Sequence, residues 1–516
     1  MGDGLHHITA ITSRVQANID FYAGFLGLRL VKQTGGFEDA RQLHLFYGDR
    51  AGSPGSLLTF LVWEGGSRGR VGHGQTNEIA LAIAPTSIGF WLTRALAHNL
   101  RPEGPSRVFN ETVLRFRDPD GIAITLTGCS LPSALPWTAD DIPAEHAITR
   151  IRGAQILSEM PEQTARFITH HFGYQALATE GDTQRLVSSS GDVIDIRNAQ
   201  GFWPQGPGTG TIDHLAFRAP DTEHVMQMEA ELKRLNNSDT NVHDRRYFTS
   251  LYVREPGGVL LELATDEPGF TIDESIEMLG ATLMTPPMTE EDAADIRIML
   301  PQFSRPGEYR MHHHELPFMH RFHTPDNAGD TTIVLLHGTG GNEADLMPLA
   351  HRLAPHARLL GVRGRSNEEG VQRWFRRTSA TSFDQADIRN EAEAFAAFIT
   401  GANAAYGLDP AKTIYLGYSN GANLLGALLS LHPHLVHHAI LLRGIAVLDE
   451  PPTADLSDVS VLLLSGDHDP YAKFAPALER TLIKGGAKLD TRQINAGHEL
   501  SDQDIDIAKA WITSAV

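Results

Sequence analysis

Three side chains in the first half of the chain are of the types that bind a transition metal through nitrogen and oxygen. His214 opens a strand of alternating character, and His7 holds the same strand position in an earlier segment. Glu262 lies inside the apolar run 259–263, where a charge is costly unless a partner neutralises it. Two imidazoles and one carboxylate form the facial set that holds Fe(II) or Mn(II) and leaves positions open for substrate and oxygen.

Three side chains in the second half have the types and the chain order that nucleophilic catalysis needs. The apolar strand 413–416 runs into Gly417-Tyr-Ser-Asn-Gly and then into an apolar helix, which is the context of a nucleophile elbow at Ser419. Two later apolar strands end in Ser465-Gly-Asp-His-Asp-Pro and Asn495-Ala-Gly-His-Glu. The order serine, acid, His498 indicates a catalytic triad, with Asp467 and Asp469 both candidates for the acid.

The first three side chains must be positioned by an internal repeat. Four segments share one pattern, in which an alternating strand is followed by a helix and by strands that end in a glycine turn and an apolar strand. These segments, modules one to four, cover about 5–63, 77–127, 148–197 and 211–270. The pattern predicts a βαβββ fold for each module, with the helix of module one over residues 18–26.

The register of the repeat tests the predicted ligands. Four residues past the turn glycine of the last strand lie, in module order, Thr59, Thr125, Asp195 and Glu262. The first strands offer, in the same order, His7, Glu78, a residue near Arg152 and His214. Only modules one and four together supply two histidines and a carboxylate. We therefore predict that these two modules share a barrel and hold one metal ion per chain.

The repeat resembles the vicinal oxygen chelate superfamily over about residues 4–270, whose modules pair into half-barrels around a metal. Within that superfamily the first half is similar to extradiol-type dioxygenases that open hydroquinone rings. The similarity lies in five pieces in the family's order: Leu5-His-His-Ile-Thr-Ala-Ile, Phe21-Tyr-Ala-Gly-Phe-Leu-Gly-Leu-Arg-Leu-Val-Lys, Asp244-Arg-Arg-Tyr-Phe, Tyr252-Val-Arg-Glu-Pro-Gly-Gly and Glu262-Leu-Ala-Thr-Asp-Glu-Pro-Gly-Phe.

The resemblance implies further residues around the metal, namely His6, Thr9, Arg245 and Tyr252. Arg245 would hold a phenolate or carboxylate as a bidentate donor, and Tyr252 would hydrogen-bond an oxygen at the metal. His6 would relay a proton. The chain departs from the family at Asp213, where a second histidine usually precedes the ligand. That change alters the charge beside the metal and bears on the choice of substrate.

The second half resembles the phospholipase/carboxylesterase family of α/β hydrolases from about residue 318 to 516. The resemblance implies that Asp469, the residue before Pro470, is the acid of the triad. It also implies an oxyanion hole formed by the backbone N–H groups of Thr339 and Asn420. Two arginine-rich stretches match a loop beside the substrate pocket in one branch of the family, namely Arg363-Gly-Arg and Arg373-Trp-Phe-Arg-Arg.

Composition limits the class of protein and its partners. The 516 residues, 41% hydrophobic and 21% charged, are ordinary for a globular protein of two to four domains. The formal charge of −20 argues against nucleic acid and anionic membrane partners, and no apolar run approaches the ~18 residues of a membrane span. The start of the sequence has no secretory pattern, and the single Cys129 fits a reducing cytoplasm and excludes a cysteine-based metal site.

We therefore predict a vicinal oxygen chelate domain at 1–275, a helix and linker at 276–317, and an α/β-hydrolase domain at 318–516. The linker contains a helix start capped by Thr289, and this helix is expected to end near Leu300. His312-His-His also lies in the linker. Because this tract lacks a spaced partner, we do not expect it to bind a metal.

The expected protein is a bifunctional cytoplasmic enzyme of aromatic degradation or quinone detoxification. Its first half would be a ring-cleaving dioxygenase that uses Fe(II), or Mn(II), with O2 and a hydroquinone-type diol. Its second half would be a serine carboxylesterase for a small ester or acyl substrate. Two alternatives for the first half are a metal-dependent isomerase of the glyoxalase type, whose usual ligand symmetry Thr59 breaks, and a module that sequesters a quinone or drug. A homo-oligomer is compatible with the sequence.

Overall fold

The computed structural model of the chain describes residues 4–234, 241–308, 314–379 and 382–515, which form two compact units. The first unit contains 4–234, 241–288 and 303–308, and the second contains 289–302, 314–379 and 382–515. Residues 276–288 of the predicted linker thus group with the first unit, and its helix groups with the second. His312 and His313 lie outside the described residues. The predicted domain limits stay a prediction.

The first unit repeats one strand–helix–three-strand order four times. Its strands are β1 (Leu5–Thr12), β2 (Arg29–Gly35), β3 (Leu43–Gly48), β4 (Leu57–Val62), β5 (Gln75–Ile83), β6 (Glu103–Val108), β7 (Glu111–Arg117), β8 (Ala123–Gly128), β9 (Arg150–Ser158), β10 (Gln175–Glu180), β11 (Thr183–Val187), β12 (Val193–Asn198), β13 (Ile212–Ala219), β14 (Val242–Asp244), β15 (Phe248–Arg254), β16 (Leu260–Pro268) and β17 (Leu283–Met284). Its α-helices are α1 (Val15–Ile19), α2 (Ile88–Ala97), α3 (Pro161–Phe172) and α4 (Thr222–Leu232). Short 3₁₀ turns cover Pro85–Ser87, Ala144–His146 and Phe270–Ile272.

The order of the strands shows which modules pair. One sheet runs β14-β15-β16-β13-β1-β4-β3-β2-β17, and the other runs β10-β11-β12-β9-β5-β8-β7-β6. Module one joins module four through the antiparallel pair β1–β13, and modules two and three join through β5–β9. The predicted fold of four βαβββ modules in two half-barrel pairs is confirmed, and modules one and four share a sheet as predicted.

The glycine turns predicted from the repeat are present in the structure, but the first helix differs from its prediction. Gly55 and Gly258, which precede β4 and β16, have φ angles of 84° and 93°, a region that glycine enters without a Cβ clash. The helix predicted over 18–26 begins earlier, as α1, and continues as a π-helical turn, Asp20–Phe25. The Leu26 N–H donates to the Phe21 carbonyl five residues back. Apolar spacing does not reveal such a change of hydrogen-bond register.

The second unit alternates strands and helices. Its strands are β18 (His320–His323), β19 (Thr332–Leu336), β20 (Arg358–Val362), β21 (Ser366–Glu368), β22 (Val371–Arg373), β23 (Thr413–Tyr418), β24 (His438–Leu442), β25 (Ser460–Gly466) and β26 (Lys488–Ile494). Its α-helices are α5 (Glu290–Met299), α6 (Met347–Leu353), α7 (Gln385–Tyr406), α8 (Asn420–Leu431), α9 (Ala475–Lys484) and α10 (Asp502–Ala515), with 3₁₀ turns at Pro410–Lys412 and Ala472–Phe474. Thr289 caps α5 as predicted, because its side chain accepts the Asp292 N–H.

The main sheet of the second unit is buried on both faces. Its order is β18-β20-β19-β23-β24-β25-β26, and all neighbours are parallel except β18 with β20. Along β19, Val334 and Leu336 enter one apolar core while Ile333 and Leu335 enter the other. This doubly covered, mostly parallel sheet is the predicted α/β-hydrolase architecture. None of the helices described in either unit is long and apolar enough to cross a membrane.

A buried ion pair fixes the loop after β26. The Arg443 guanidinium, fully buried just after β24, makes two hydrogen bonds of 2.6 and 2.9 Å to the Asp504 carboxylate on α10. The same guanidinium donates to the carbonyl oxygens of Gly497 and Glu499, on either side of His498. The pair therefore holds both ends of the short segment that carries this histidine.

We expect Asp504→Ala to destabilise the second unit by about 3 to 5 kcal/mol, because it leaves the Arg443 charge buried without its carboxylate. Urea unfolding measures the loss. Asp506→Ala, an exposed carboxylate on the same helix, is the matched control and should change stability by less than about 0.5 kcal/mol. Equal stability of the two variants would contradict this role of the pair.

Candidate functional sites

Three side chains of the first unit meet at one point, although the two histidines are 207 residues apart. His7 Nε2 lies 3.3 Å from His214 Nε2. Glu262 Oε2 lies 3.3 Å from the first of these nitrogens and 2.8 Å from the second. All three side chains are buried. Ligand atoms bound at right angles to a first-row metal, each at about 2.1 Å, are about 3 Å apart, so this spacing fits one ion.

Strand pairing explains why these atoms meet. β13 lies between β1 and β16, antiparallel to the first and parallel to the second. Ala216 on β13 is paired with His7 on one side and with Glu262 on the other, while His214 is paired with Thr9. Because side chains alternate along a strand, residues 214 and 216 face the same side as these partners. The small alanine leaves the space between the two outer ligands open.

The surroundings of Glu262 test whether the three residues fit a metal ion. Ser250 donates a hydrogen bond to Oε1, while Oε2 makes none among the described residues although it is fully buried. Burial raises the pKa of Glu262, but the two imidazoles outweigh it and hold the pKa well below its usual range. Burial lowers the pKa of His214, but the adjacent carboxylates of Asp213 and Glu262 raise it to about 9. The centre therefore needs a positive charge, and its donor set fits a divalent cation.

Two neighbouring side chains hold the imidazoles in place. Asp213 Oδ2 lies 2.7 Å from His214 Nδ1, the carboxylate–histidine arrangement that leaves Nε2 for a metal. His6 Nδ1 lies 2.9 Å from His7 Nδ1. Burial, together with the neighbouring His7, lowers the pKa of His6 to about 3, so His6 is neutral and can accept the His7 Nδ1–H. Asp213, which replaces the histidine that the family usually has at this position, is therefore a hydrogen-bond partner of His214.

A cavity of about 410 Å³ opens beside the predicted ligands His7 and His214. The predicted residues Thr9, Arg245 and Tyr252 line it, whereas the predicted His6 is not among the lining residues and contacts His7 instead. The Arg245 guanidinium lies over the Tyr252 ring at 5.5 Å and donates to Glu38 at 2.6 Å. Burial, with the nearby Glu262, raises the pKa of Tyr252, so its hydroxyl stays protonated and can donate.

Sequence reasoning missed other polar residues of this cavity, notably His44, His243 and Glu38. His44 Nε2 lies 3.1 Å from Thr59 Oγ1, and burial lowers the pKa of His44 to about 3. The alternation of β3 places His44 on the same face as Phe46, which is the one sequence signal that pointed to it. His243 and Glu38 gave no such signal, because strand pairing across modules brings them here.

The other half-barrel has ion pairs at the equivalent positions. Glu78 receives two hydrogen bonds from Arg115, at 2.8 and 3.1 Å, and one from Thr125. Arg185 grips Asp195 with two bonds of 2.7 Å. In this half-barrel a guanidinium therefore neutralises each carboxylate. In the first half-barrel the carboxylate of Glu262 lies beside two histidines instead. The prediction that this pair of modules makes a poor metal cage agrees with these contacts.

The second unit brings a serine, a histidine and an aspartate into one hydrogen-bonded chain. Ser419 Oγ lies 2.9 Å from His498 Nε2, and His498 Nδ1 lies 2.9 Å from Asp469 Oδ2. Asp469 is buried and also accepts the Tyr471 N–H. Asp467 bonds instead to His468 and to the Ala496 N–H, so Asp469 rather than Asp467 faces the histidine.

The turn that presents Ser419 is tight. Ser419 has φ 50° and ψ −111°, a sparsely populated conformation of the kind found at functional sites. A Cβ on Gly421 would lie 2.1 Å from the Leu336 carbonyl, so only glycine fits there. Asn420 begins α8, and its backbone N–H is one of the free N–H groups of the first turn. Thr339 lies in the loop after β19, where its hydroxyl accepts a hydrogen bond from Arg373 at 3.1 Å.

Comparison with known proteins places the first unit in a family. Residues 4–126 match the model of the Glyoxalase/Bleomycin resistance protein/Dioxygenase superfamily. "Putative ring-cleaving dioxygenase MhqO" of Bacillus subtilis is 37% identical over 57% of this chain and 94% of that protein. "Chlorohydroquinone/hydroquinone 1,2-dioxygenase" of Sphingobium indicum is 29% identical over 56% of this chain and 92% of that protein. A crystal structure of a "putative dioxygenase" from Bacillus subtilis has a TM-score of 0.56 at 36% identity, over 59% of this chain and 98% of that one.

The second unit has its own relative. "Putative hydrolase MhqD" of Bacillus subtilis is 33% identical over 189 residues, which are 36% of this chain and 94% of that protein. Each unit of this chain therefore matches nearly the whole of a separate protein, so the chain is a fusion of two protein types that also occur apart.

We expect purified protein to bind about one divalent transition-metal ion per chain, and His214→Ala or Glu262→Gln to abolish that binding, because three ligands are needed to close the facial set. Elemental analysis after dialysis measures the content. His146→Ala is the control, since His146 bonds Ser87 and stacks on Phe90 away from the three ligands. Metal retained in both ligand variants would exclude this site.

Proposed function

Because the chain belongs to the Glyoxalase/Bleomycin resistance protein/Dioxygenase superfamily through its first unit, we propose that it is a bifunctional enzyme, a ring-cleaving dioxygenase fused to a serine ester hydrolase. The convergence of His7, His214 and Glu262 beside a cavity of about 410 Å³ carries the dioxygenase proposal. The chain of hydrogen bonds from Ser419 to Asp469 carries the hydrolase proposal. The single Cys129 supports a cytoplasmic location.

The proposed substrates of the first unit are a hydroquinone-type aromatic diol and O2, in aromatic degradation or quinone detoxification. His7, His214 and Glu262 would hold Fe(II), with Mn(II) as the alternative, and the bound ion would favour the deprotonated diol and activate O2 beside it. Phe37, Phe46 and Phe248 line the cavity and suit the faces of an aromatic ring. Two buried imidazoles and one carboxylate, with open space beside them, support this chemistry over sequestration of a quinone.

The polar side chains of the cavity would orient the diol. Arg245 offers a planar fork for a phenolate or carboxylate oxygen, and Glu38 holds that fork toward the cavity. Tyr252 donates through its protonated hydroxyl, next to the His214 ring at 5.3 Å. His6 accepts the Nδ1 proton of His7 and so keeps the Nε2 lone pair directed at the metal. The predicted proton relay through His6 stays a prediction.

The proposed hydrolase reaction is acyl transfer through the serine. His498 Nε2 would remove the proton of Ser419 Oγ as the oxygen attacks the ester carbonyl, and Asp469 would stabilise the resulting imidazolium. The backbone N–H groups of Thr339 and Asn420 would stabilise the negative carbonyl oxygen. His498 would then return its proton to the leaving group, and water would hydrolyse the acyl-enzyme.

Oxygen uptake on adding methylhydroquinone to enzyme reconstituted with Fe(II) under reducing conditions tests the first activity. A glyoxalase-type isomerase would consume no oxygen, and a sequestering module would bind the diol without turnover. Oxygen uptake that is absent with Fe(II) and with Mn(II), in protein shown to hold the metal, would overturn the dioxygenase proposal.

The two activities should be separable by mutation. Ser419→Ala is expected to abolish hydrolysis of p-nitrophenyl esters and leave oxygen uptake unchanged, because each set of side chains lies within its own unit. His7→Ala is expected to do the reverse. Both assays on both variants, with folding checked by circular dichroism, make the comparison. Loss of both activities in a folded Ser419→Ala protein would contradict two independent sites.

Arg245 and Tyr252 should act on turnover rather than on metal content. We expect Arg245→Ala to lower kcat/KM about 10- to 100-fold, the effect of losing a charge-assisted hydrogen bond, and Arg245→Lys not to restore it, because lysine lacks the planar fork. Tyr252→Phe should lower kcat and leave iron content and Tm unchanged. Arg50→Ala, an exposed arginine 4.0 Å from Glu277, is the control. Wild-type kinetics in the Arg245 and Tyr252 variants would remove these residues from the site.

A further inference from the structure

A short hairpin of the second unit is fastened to the residues that surround Ser419. The hairpin consists of β21 and β22. The Gln372 carbonyl on β22 accepts the Gly340 N–H at 2.8 Å, next to Thr339. The Trp374 N–H donates to Asn420 Oδ1 at 2.8 Å, and the Trp374 indole donates to the His337 carbonyl at 2.9 Å. The end of β22 therefore touches both the loop of the proposed oxyanion hole and the residue after the nucleophile.

Arg373 is the last residue of β22, and its guanidinium is buried at this junction with only 8% of the side chain exposed. Its Nη1 donates to the Thr339 hydroxyl at 3.1 Å. Glu368 Oε2 lies 3.1 Å from Nε, yet neither of these two buried atoms makes a hydrogen bond to any described residue. The guanidinium is thus only partly satisfied by Glu368, beside the residues that would bind the ester carbonyl.

The charge of Arg373 is also incompletely balanced. Burial and the nearby Arg377 lower the pKa of Arg373, and Glu368 opposes them only in part. A buried guanidinium without a well-bonded counterion is costly unless an anion completes the site. A carboxylate is the anion whose two oxygens match the planar fork of arginine.

We propose that Arg373 binds a carboxylate of the hydrolase substrate, so that the second unit acts on esters or acyl compounds that carry an acidic group near the scissile carbonyl. This inference rests on the proposed hydrolysis at Ser419 and names the substrate class of that site. A different role for Arg373 is purely structural, as the ion-pair partner of Glu368 within the hairpin. If Arg373 binds a substrate carboxylate, its mutation lowers activity on acidic substrates only. If Arg373 and Glu368 form a purely structural pair, mutation of either residue lowers activity on acidic and neutral substrates alike.

Two matched pairs of esters distinguish the two roles of Arg373. The 4-nitrophenyl monoester of glutaric acid against 4-nitrophenyl pentanoate places the carboxylate on the acyl side. 4-Acetoxybenzoate against its methyl ester places the carboxylate on the alcohol side. We expect wild-type enzyme to prefer the acidic member of one pair, and Arg373→Ala to lower kcat/KM for that member about 10- to 100-fold while the neutral member changes less than about 3-fold.

Variants separate binding from folding. Arg373→Lys keeps the charge but not the fork and should recover only part of the activity on the acidic ester. Glu368→Gln removes the internal competitor and should maintain or raise that activity. Arg352→Ala, which removes an exposed ion pair between α6 and Asp295 on α5, should behave as wild type. Equal losses on acidic and neutral esters in Arg373→Ala, or the same losses in Glu368→Gln, would overturn the proposal in favour of the structural pair.

Covalent labelling gives a readout that does not depend on ester turnover. A neutral fluorophosphonate should label wild-type protein but not Ser419→Ala, and labelling of both variants would refute the proposed nucleophile alone. Glutarate or benzoate should slow the labelling of wild-type protein and should not slow that of Arg373→Ala. Equal protection of the two proteins by these acids, or no protection of either, would overturn the role of Arg373 while leaving Ser419 in place.

Discussion

The antiparallel pairing of β1 with β13 is the constraint on which the first unit depends. It joins the first module of the chain to the last one, so that His7 and His214 face one another across 207 residues. β16 then adds Glu262 in parallel register, next to the same Ala216 that faces His7. A shift of one residue in either ladder would turn the ligand to the opposite face of the sheet. Every other property of this centre follows from that register.

The half-barrel of modules two and three shows what the same scaffold holds when the ligands are absent. Its strands β5 and β9 pair like β1 and β13. Glu78 and Asp195, at ligand positions, are bonded by Arg115 and Arg185 instead of lying beside imidazoles. Both half-barrels thus bury carboxylates, and each neutralises them differently: one with fixed guanidinium groups, the other with protons or a cation. A guanidinium leaves no open coordination position, so the proposed chemistry with O2 would be confined to one half-barrel.

The parts of the structure that sequence predicts are those with a local signature. Counting four residues past the turn glycine identified Glu262 as a ligand position. The elbow motif identified Ser419 at the junction of a strand and a helix. The residues that sequence missed, such as His44 and His243, belong to different modules and line one cavity because β1 pairs with β13. The alternation of β3 indicates the face of His44 but not its neighbours, and the three-residue strand that carries His243 is too short to show a period. His6 was predicted as a proton relay around the metal ligands, and the irregular register of β1 between Leu5 and His7 places its ring against His7 and Phe248.

The electrostatics of the two units suit consecutive steps under the functions proposed above. Ring opening by O2 converts a hydroxylated ring carbon into a carboxylate and its neighbour into a carbonyl, so a neutral diol leaves as an anion. The first unit would bind that diol where two histidines and a glutamate need a cation. The second unit buries a guanidinium, Arg373, that donates to Thr339 and lies beside Glu368 without a hydrogen bond to it. A hydrolase with this charge distribution would discriminate against neutral esters, since they would leave the Arg373 charge balanced only in part by Glu368. Its substrates would then share the negative charge of the ring-cleavage products, which gives a physical reason for joining the two catalysts in one chain.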